Sequence, residues 1–227
     1  MPAPRSPARA SERVHRSLRR EILEGTLAPG DPMPSERTLA EDHGVNRHAV
    51  REALKKLEQA GLVRIAQGGP TRILDWRDSG GLELLLDLTL EPGGEPPAEV
   101  VRSALEMRES IGTDAARRCA RRASDEKRAA IRAFADETAG LIRDGGDPEA
   151  LDLAYADLWR MIVDGSENLA YRLALNSLMV AVADHADIAS VMRPTDVASL
   201  RALGRAIDRG DAATARRAAE RLLTSAP

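Results

Sequence analysis

Residues 34–69 read PSERTLAEDHGVNRHAVREALKKLEQAGLVRIAQGG. Ser35, after a proline, suits the cap of a helix, and Gly44 after His43 suits a left-handed residue ending it. Asn46 suits the cap of a second helix, predicted to run to about Ala60 with Val50, Ala53, Leu54 and Leu57 on one face and Gly61 as its terminator. Leu62 to Ala66 and Thr71 to Leu74 are short β-prone runs, and the Gln67-Gly68-Gly69-Pro70 between them is a hairpin signal. Helix, tight turn, helix and hairpin, in that order, fit a winged helix-turn-helix.

Outward from this stretch, Val14, Leu18 and Ile22 repeat every four residues and predict a preceding helix, capped by Ser11 and ending near Glu24, before Gly25 and Pro29-Gly30-Asp31. Residues 1–10 carry three prolines and two arginines and read as a disordered tail. On the other side, residues 76–97 read as a linker with a short leucine-rich helix, Leu82 to Leu90, and a closing EPGGEPP. From Ala98 onward helical periodicity dominates: Val100, Ala104, Met107, Ile111; Leu151, Ala154, Leu158, Met161; Tyr171, Leu175, Leu178, Val182; Leu200, Leu203, Ile207. Breaks at 145–148, 165–166, 193–194 and 210–211 divide this part into six or seven helices. The expected fold is therefore mainly α. Residues 11–75 form a winged helix-turn-helix with a small β-hairpin wing, and residues 98–227 an all-α helical bundle.

Composition agrees. Aromatic residues make up only 2% of the chain, so Leu, Ile, Val, Ala and Met must fill its cores, which favours helix packing over a β-sandwich. The net charge of −3 is unevenly distributed: residues 1–75 hold 13 Lys+Arg against 10 Asp+Glu, or +3, and residues 76–227 hold 20 against 26, or −6. The basic excess travels with the helix-turn-helix, as nucleic-acid binding requires. Cys119 is the only cysteine, which excludes an internal disulfide and a cysteine-built zinc site and predicts a small buried apolar residue. No apolar run approaches the ~20 residues that span a bilayer, so a cytoplasmic protein is expected.

In a helix-turn-helix the two helices cross closely, and Ala40 and Gly44 supply the small and the flexible position. Val50 and Ala53 then face inward, leaving Arg47, His48 and Arg51 on other faces. Arg47 and Arg51 stand one turn apart and project together from the first half of their helix, where guanine O6 and N7 in the major groove suit the planar guanidinium. Asn46 and the free amides beside it are placed for a phosphate, His48 suits a phosphate contact or plain exposure, and Gln67 and Gly68 at the wing tip approach the minor groove. The bland alternative pairs Arg47 and Arg51 with Glu52 or Glu58 as solvated helix residues; the turn, the packing residues and the wing together argue for the interface.

These residues carry a resemblance to the DNA-binding domain of the GntR family. It runs through Leu18-Arg19, Ile22, Gly25, LAPGD at 27–31, PSER at 34–37, Leu39-Ala40, GVNR at 44–47, VREAL at 50–54, Leu57-Glu58 and GLV at 61–63. The resemblance implies guanine and phosphate contacts for Arg37, Arg47 and Arg51 and minor-groove entry for Gln67 and Gly68. Asn46 stands where the family has serine or threonine. The expected DNA-contacting set is Ser35, Arg37, Asn46, Arg47, His48, Arg51, Gln67 and Gly68.

The helical remainder resembles the FadR subfamily, through residues 67–88, QGGPTRILDWRDSGGLELLLDL, and through Gly165-Ser166-Glu167-Asn168, which is similar to that domain's Ala-Ser-Gly-Asn turn. Such domains dimerise and bind an effector, many through a divalent metal held by an aspartate and a histidine four residues apart and by two later histidines. Counted back from Ser166, the first pair falls on Tyr155 and Trp159; the later two fall near Leu200 and Leu222, and His185 is the only histidine in this part. No metal and no other cofactor are expected. Tyr155 and Trp159 keep the i, i+4 geometry and face one interior space, either as core packing or as walls of an apolar pocket. Arg108 matches a pocket arginine of the resembling domains and is a candidate partner for an acidic effector, with a salt bridge to Glu99 or near Asp114 as the structural alternative.

The expected function is a homodimeric transcriptional regulator that reads a palindromic operator in double-stranded DNA. A small-molecule effector, a fatty acyl-CoA or other lipid-derived acid, modulates it, and the Leu82–Leu90 helix couples the two parts. The alternatives are a constitutive DNA-binding protein with an inert dimerisation domain, and an enzyme using Asp152, Asp157, Asp184, His185 and Asp187. For the enzyme no nucleophile–base pairing or metal spacing is present, so a non-enzyme is expected.

Overall fold

A computed structural model describes residues 7–66, 68–82, 84, 97–183 and 192–224. The chain divides into two compact units, residues 1–84 and 85–227.

The first unit holds α1 (Pro7–Leu23), α2 (Glu36–His43), α3 (Arg47–Gln59), β1 (Val63–Arg64), β2 (Arg72–Ile73) and the single turn α4 (Trp76–Ser79). Its core is the inner stripe of α1, Val14, Leu18 and Ile22, against Val50, Ala53, Leu54 and Leu57 of α3, with Leu39 and Ala40 of α2 closing one side. The helix ends follow local chemistry. Ser35 Oγ accepts from the Thr38 amide at 3.1 Å and Asn46 Oδ1 from the Ala49 amide at 2.8 Å. Gly44 ends α2 at φ +60°, and the Val45 amide returns to the Ala40 carbonyl at 3.0 Å, the reverse turn that aims α3 across α2. β1 and β2 pair antiparallel, Val63 with Ile73 and Arg64 with Arg72, and the Gly30–Met33 segment adds bonds along the outer edge of β2.

The first helix differs from expectation at its start. It begins at Pro7, so residues 7–10 of the expected tail are helical, and Ser11 is a buried residue inside the helix rather than its cap. Proline is compatible with a first helical turn because its missing N–H has no partner there. The hairpin strands are two residues each, shorter than the runs that predicted them. The unit also extends past residue 75: Trp76 packs on the core and Leu84 lies within it. Gln67, the tail of residues 1–6, most of the Leu82–Leu90 coupling helix and the EPGGEPP boundary but for Pro97 lie outside the described residues.

Among the described residues the second unit is built of helices: α5 (Ala98–Arg122), α6 (Asp125–Arg143), α7 (Pro148–Gly165), α8 (Leu169–Ala183), α9 (Val197–Asp208) and α10 (Ala212–Thr224). α5 lies along α10 and α7, α6 along α9, and α8 against α7 and α5. The core is rich in alanine, with Ala115, Ala116, Ala120, Ala135, Ala139, Ala206, Ala215, Ala218 and Ala219 all inaccessible, and Ile131, Leu158, Ile162, Leu200, Leu203 and Ile207 filling the space between. Small side chains let helix axes approach closely, and close approach makes the packing sensitive to single carbons.

Gly165 shows this. A Cβ there would lie 2.5 Å from Cys119 Sγ and 3.3 Å from the Ala123 Cβ, so the helices meet only because one residue lacks a side chain. Cys119 is fully buried and burial pushes its thiol up to about 12, so it serves as a small apolar residue. Two residues on, exposed Glu167 sits at φ +53°, a left-handed conformation where the resembling turn carries glycine. Gly165→Ala is expected to destabilise the chain by about 1–3 kcal/mol, and by at least ~1 kcal/mol less when Cys119→Ala is also present; a double-mutant cycle by chemical denaturation measures that coupling. Glu167→Gly removes the strain and should raise the unfolding temperature of this unit by about 1–3 °C, read by calorimetry.

Candidate nucleic-acid interface and effector pocket

Helix α3 has two unlike faces. Ala49, Val50, Ala53, Leu54 and Leu57 are buried, while Arg47, His48 and Arg51 are exposed on the other side. Arg47 and Arg51 share a side by their i, i+4 spacing, so two guanidinium groups project from the first two turns of a helix fixed by its opposite face. Arg51 does not pair with Glu52 or Glu58. Its Nε donates to Glu36 Oε2 of α2 at 2.7 Å, whereas Glu52 pairs with Lys55 and Glu58 accepts from the Ile65 amide at 2.8 Å. Arg37 pairs with Glu41 at 3.1 Å, both largely exposed. Exposed pairs of this kind stabilise little and exchange readily for a phosphate or a base edge. Among the described residues Arg47 has no carboxylate partner.

Asn46 and Ser35 are exposed, but each uses its side-chain oxygen in a helix cap. What Asn46 offers outward is therefore its amide nitrogen. Gly68 is exposed at φ +78°, with open space where a Cβ would stand. The sequence reading passed over Arg64, whose side chain leaves the exposed face of β1; strand alternation around buried Val63 was the available signal.

In the second unit a cavity of about 100 Å³ opens between α5, α7 and α8, with Met192, Arg193 and Leu223 completing its wall. Arg108, Tyr155 and Trp159 are brought together there, exposed by 8%, 5% and 7%. The two rings meet edge to face with centroids 6.2 Å apart. Arg108 donates to the Met192 carbonyl at 3.3 Å. Of its two alternative partners, Glu99 makes no ion pair with it among the described residues, and Asp114 is engaged elsewhere, accepting from Arg117, Arg118 and the Tyr171 hydroxyl. Burial pushes the Asp114 carboxyl up, but those hydrogen bonds outweigh it and bring the pKa to about 2. Burial lowers the Arg108 pKa, yet a guanidinium stays protonated. Burial likewise raises the Tyr155 pKa against the opposing pull of nearby Arg108 and Trp159, keeping the phenol neutral.

Among the described residues neither the Tyr155 hydroxyl nor the Trp159 indole N–H reaches a partner in full hydrogen-bond geometry, although the hydroxyl lies close to both the Trp159 N–H and the Arg108 guanidinium. Asp152, also in the wall, receives two bonds from Arg193, each 2.7 Å. This donor set does not fit a divalent metal: an indole N–H and a guanidinium bring no lone pair to an ion, and the one carboxylate is already committed. Nothing in sequence spacing signals the Asp152–Arg193 pair, whose partners are 41 residues apart. Asp184, His185 and Asp187 of the enzyme alternative lie outside the described residues.

An arginine-bearing second helix behind a tight turn, followed by a hairpin, defines the first unit as a winged helix-turn-helix of the DNA-binding class, here joined to an all-α unit with an internal cavity. Residues 10–73 match the model of the bacterial regulatory proteins of the gntR family, and residues 103–225 match the FCD domain. The chain is 35% identical over 218 residues to the HTH-type transcriptional regulator Mce2R of Mycobacterium tuberculosis (strain CDC 1551 / Oshkosh), covering 93% of this chain and 88% of that one. It is 33% identical over 162 residues to a fatty acid metabolism regulator protein of Shewanella halifaxensis, covering 69% and 62%. The solved Streptococcus agalactiae GntR shares the fold at 20% identity, with a TM-score of 0.50 over 95% of this chain and 97% of that one. The chain belongs to the GntR family and is a transcriptional regulator with a DNA-binding GntR domain and an effector-binding FCD domain.

Arg47→Ala removes an exposed side chain, so unfolding should stay within about 0.5 kcal/mol of the parent. Binding to an operator selected from random duplex DNA should weaken by about 1–3 kcal/mol, with relaxed preference at one base pair per half-site, measured by mobility shift. Unchanged affinity and preference would remove Arg47 from the interface.

Proposed function

We propose that this regulator acts as a homodimer in the cytoplasm, each protomer reading one half of a palindromic operator, and that a small apolar acid bound in the helical unit changes operator affinity. The DNA-contacting set is Ser35, Arg37, Asn46, Arg47, His48, Arg51, Gln67 and Gly68, with Arg64 added from the wing strand. Arg47 and Arg51 read guanine edges; Arg37 and the amides at the start of α3 fix the register on phosphates. The effector site is the cavity around Arg108, Tyr155 and Trp159.

One observation carries the effector reading: a largely apolar cavity holds a buried arginine, a buried phenol and a buried indole N–H that converge in its wall. Pockets that bind small molecules combine apolar walls with a few convergent polar groups. The ligand class follows as a lipid-derived acid, fatty acyl-CoA included, and relatives named as fatty acid metabolism regulators agree with that class. No helix among the described residues is long and apolar enough to cross a membrane. A constitutive regulator with an inert helical unit is the competing reading, and ligand-induced stabilisation separates the two.

A screen by thermal unfolding against free fatty acids, acyl-CoA thioesters and small dicarboxylates is the direct test. A ligand at 100 times its dissociation constant adds about 2.7 kcal/mol, a rise of roughly 5–10 °C. Failure of every class to stabilise the chain would favour the inert unit.

A further inference from the structure

The side of α3 that carries Arg47 and Arg51 also carries a carboxylate. Glu58 follows Arg51 by seven residues, about two turns further along the same side of the helix, and is exposed. A negative charge beside DNA phosphates weakens binding. Glu52, the other acid of α3, is neutralised by Lys55 at 3.0 Å, whereas Glu58 has no cationic partner among the described residues. Its carboxylate is held by the backbone instead: Oε1 accepts from the Ile65 amide at 2.8 Å.

Ile65 is the first residue past β1, where the wing leaves its ladder. That ladder is two residue pairs long, Val63 with Ile73 and Arg64 with Arg72, and a two-stranded hairpin has little stability of its own. The β2 side is anchored separately. The Gly30 and Met33 amides donate to the Ile73 and Thr71 carbonyls at 2.9 and 2.8 Å, and the Ile73 amide donates to the Asp31 carbonyl at 3.1 Å. On the β1 side, beyond Leu62, the Ile65–Glu58 bond is the hydrogen bond that ties the wing to α3 among the described residues. We infer that Glu58 is a positioning residue for operator binding: its carboxylate holds the wing to the last turn of α3, and so sets the spacing between the major-groove arginines and the minor-groove contacts of the wing. This rests on the wing contact proposed above and adds what keeps it in register. Arg64 precedes the held amide by one residue and the Gly68 tip follows it by three, so both depend on where Ile65 is fixed.

Two substitutions make the same change of charge, and only one keeps the acceptor. Glu58→Gln retains an oxygen that can receive the Ile65 amide; Glu58→Ala does not. In the full chain, affinity for the selected operator, measured by mobility shift, should fall about three- to tenfold in Glu58→Ala and equal or exceed the parent in Glu58→Gln. Charge alone predicts the opposite for Glu58→Ala, since both variants lose a carboxylate and would bind more tightly. Footprints on saturated operator give the second readout. Hydroxyl-radical protection of the minor groove under the wing should fade in Glu58→Ala and return in Glu58→Gln, while methylation protection of guanine N7 under α3 stays at the parent level in both. Parent-like affinity and footprint in Glu58→Ala, a Glu58→Gln variant as weak as Glu58→Ala, or loss of both protections together would overturn the inference while leaving the wing contact in place. Absence of minor-groove protection by the parent chain would instead remove the wing contact, and the inference with it.

Discussion

The inner face of α3 is where the first unit is decided. Val50, Ala53 and Leu57 are wholly buried against Val14, Leu18 and Ile22 of α1, and a helix clamped along one stripe has no freedom to rotate. Arg47 and Arg51 then face outward because the packing leaves them no other direction. The αL turn at Gly44 sets the angle of the clamp, and the caps at Ser35 and Asn46 fix where each helix starts. Guanidinium groups on a loosely held helix would lose conformational freedom on binding and forfeit part of what their contacts contribute. The Glu36–Arg51 pair, exposed on the same side, holds Arg51 only lightly and can exchange for a phosphate or a base edge.

A different constraint governs the helical unit. Its alanine-rich core brings helices into close contact at Gly165 and Cys119, yet between α5, α7 and α8 it leaves a cavity whose wall holds the buried Arg108, Tyr155 and Trp159. Buried polar groups normally find partners; among the described residues the Tyr155 hydroxyl and the Trp159 N–H reach none in full geometry, although the hydroxyl lies close to both the Trp159 N–H and Arg108. All three stand on helices rather than loops, and the Asp152–Arg193 pair beside them closes on itself.

Local rules are what the sequence made legible. Ser35, Gly44 and Asn46 each act within three or four residues of themselves, and so do the apolar stripes of α1 and α3; all were readable from spacing. The start of α1 was misread because the composition of residues 1–10 resembles a disordered tail, while a stripe that buries Ser11, Val14 and Leu18 together rewards helix as far back as Pro7. Pairings across the fold left no trace: Glu36 finds Arg51 fifteen residues away, and Asp152 finds Arg193. Tyr155 and Trp159 showed themselves as neighbours through i, i+4 spacing. That Arg108 joins them came from family resemblance, because no periodicity links positions on separate helices. How close their polar atoms come to one another is a property of three-dimensional packing alone.

If cavity and operator communicate, the two binding events are linked and the linkage is reciprocal. The decisive measurement is therefore a pair of titrations: operator affinity with and without a saturating apolar acid, and acid affinity with and without operator. An effector-coupled regulator gives the same factor in both directions, about 5- to 150-fold. A factor of one in both, with acid and operator each binding tightly, would contradict it.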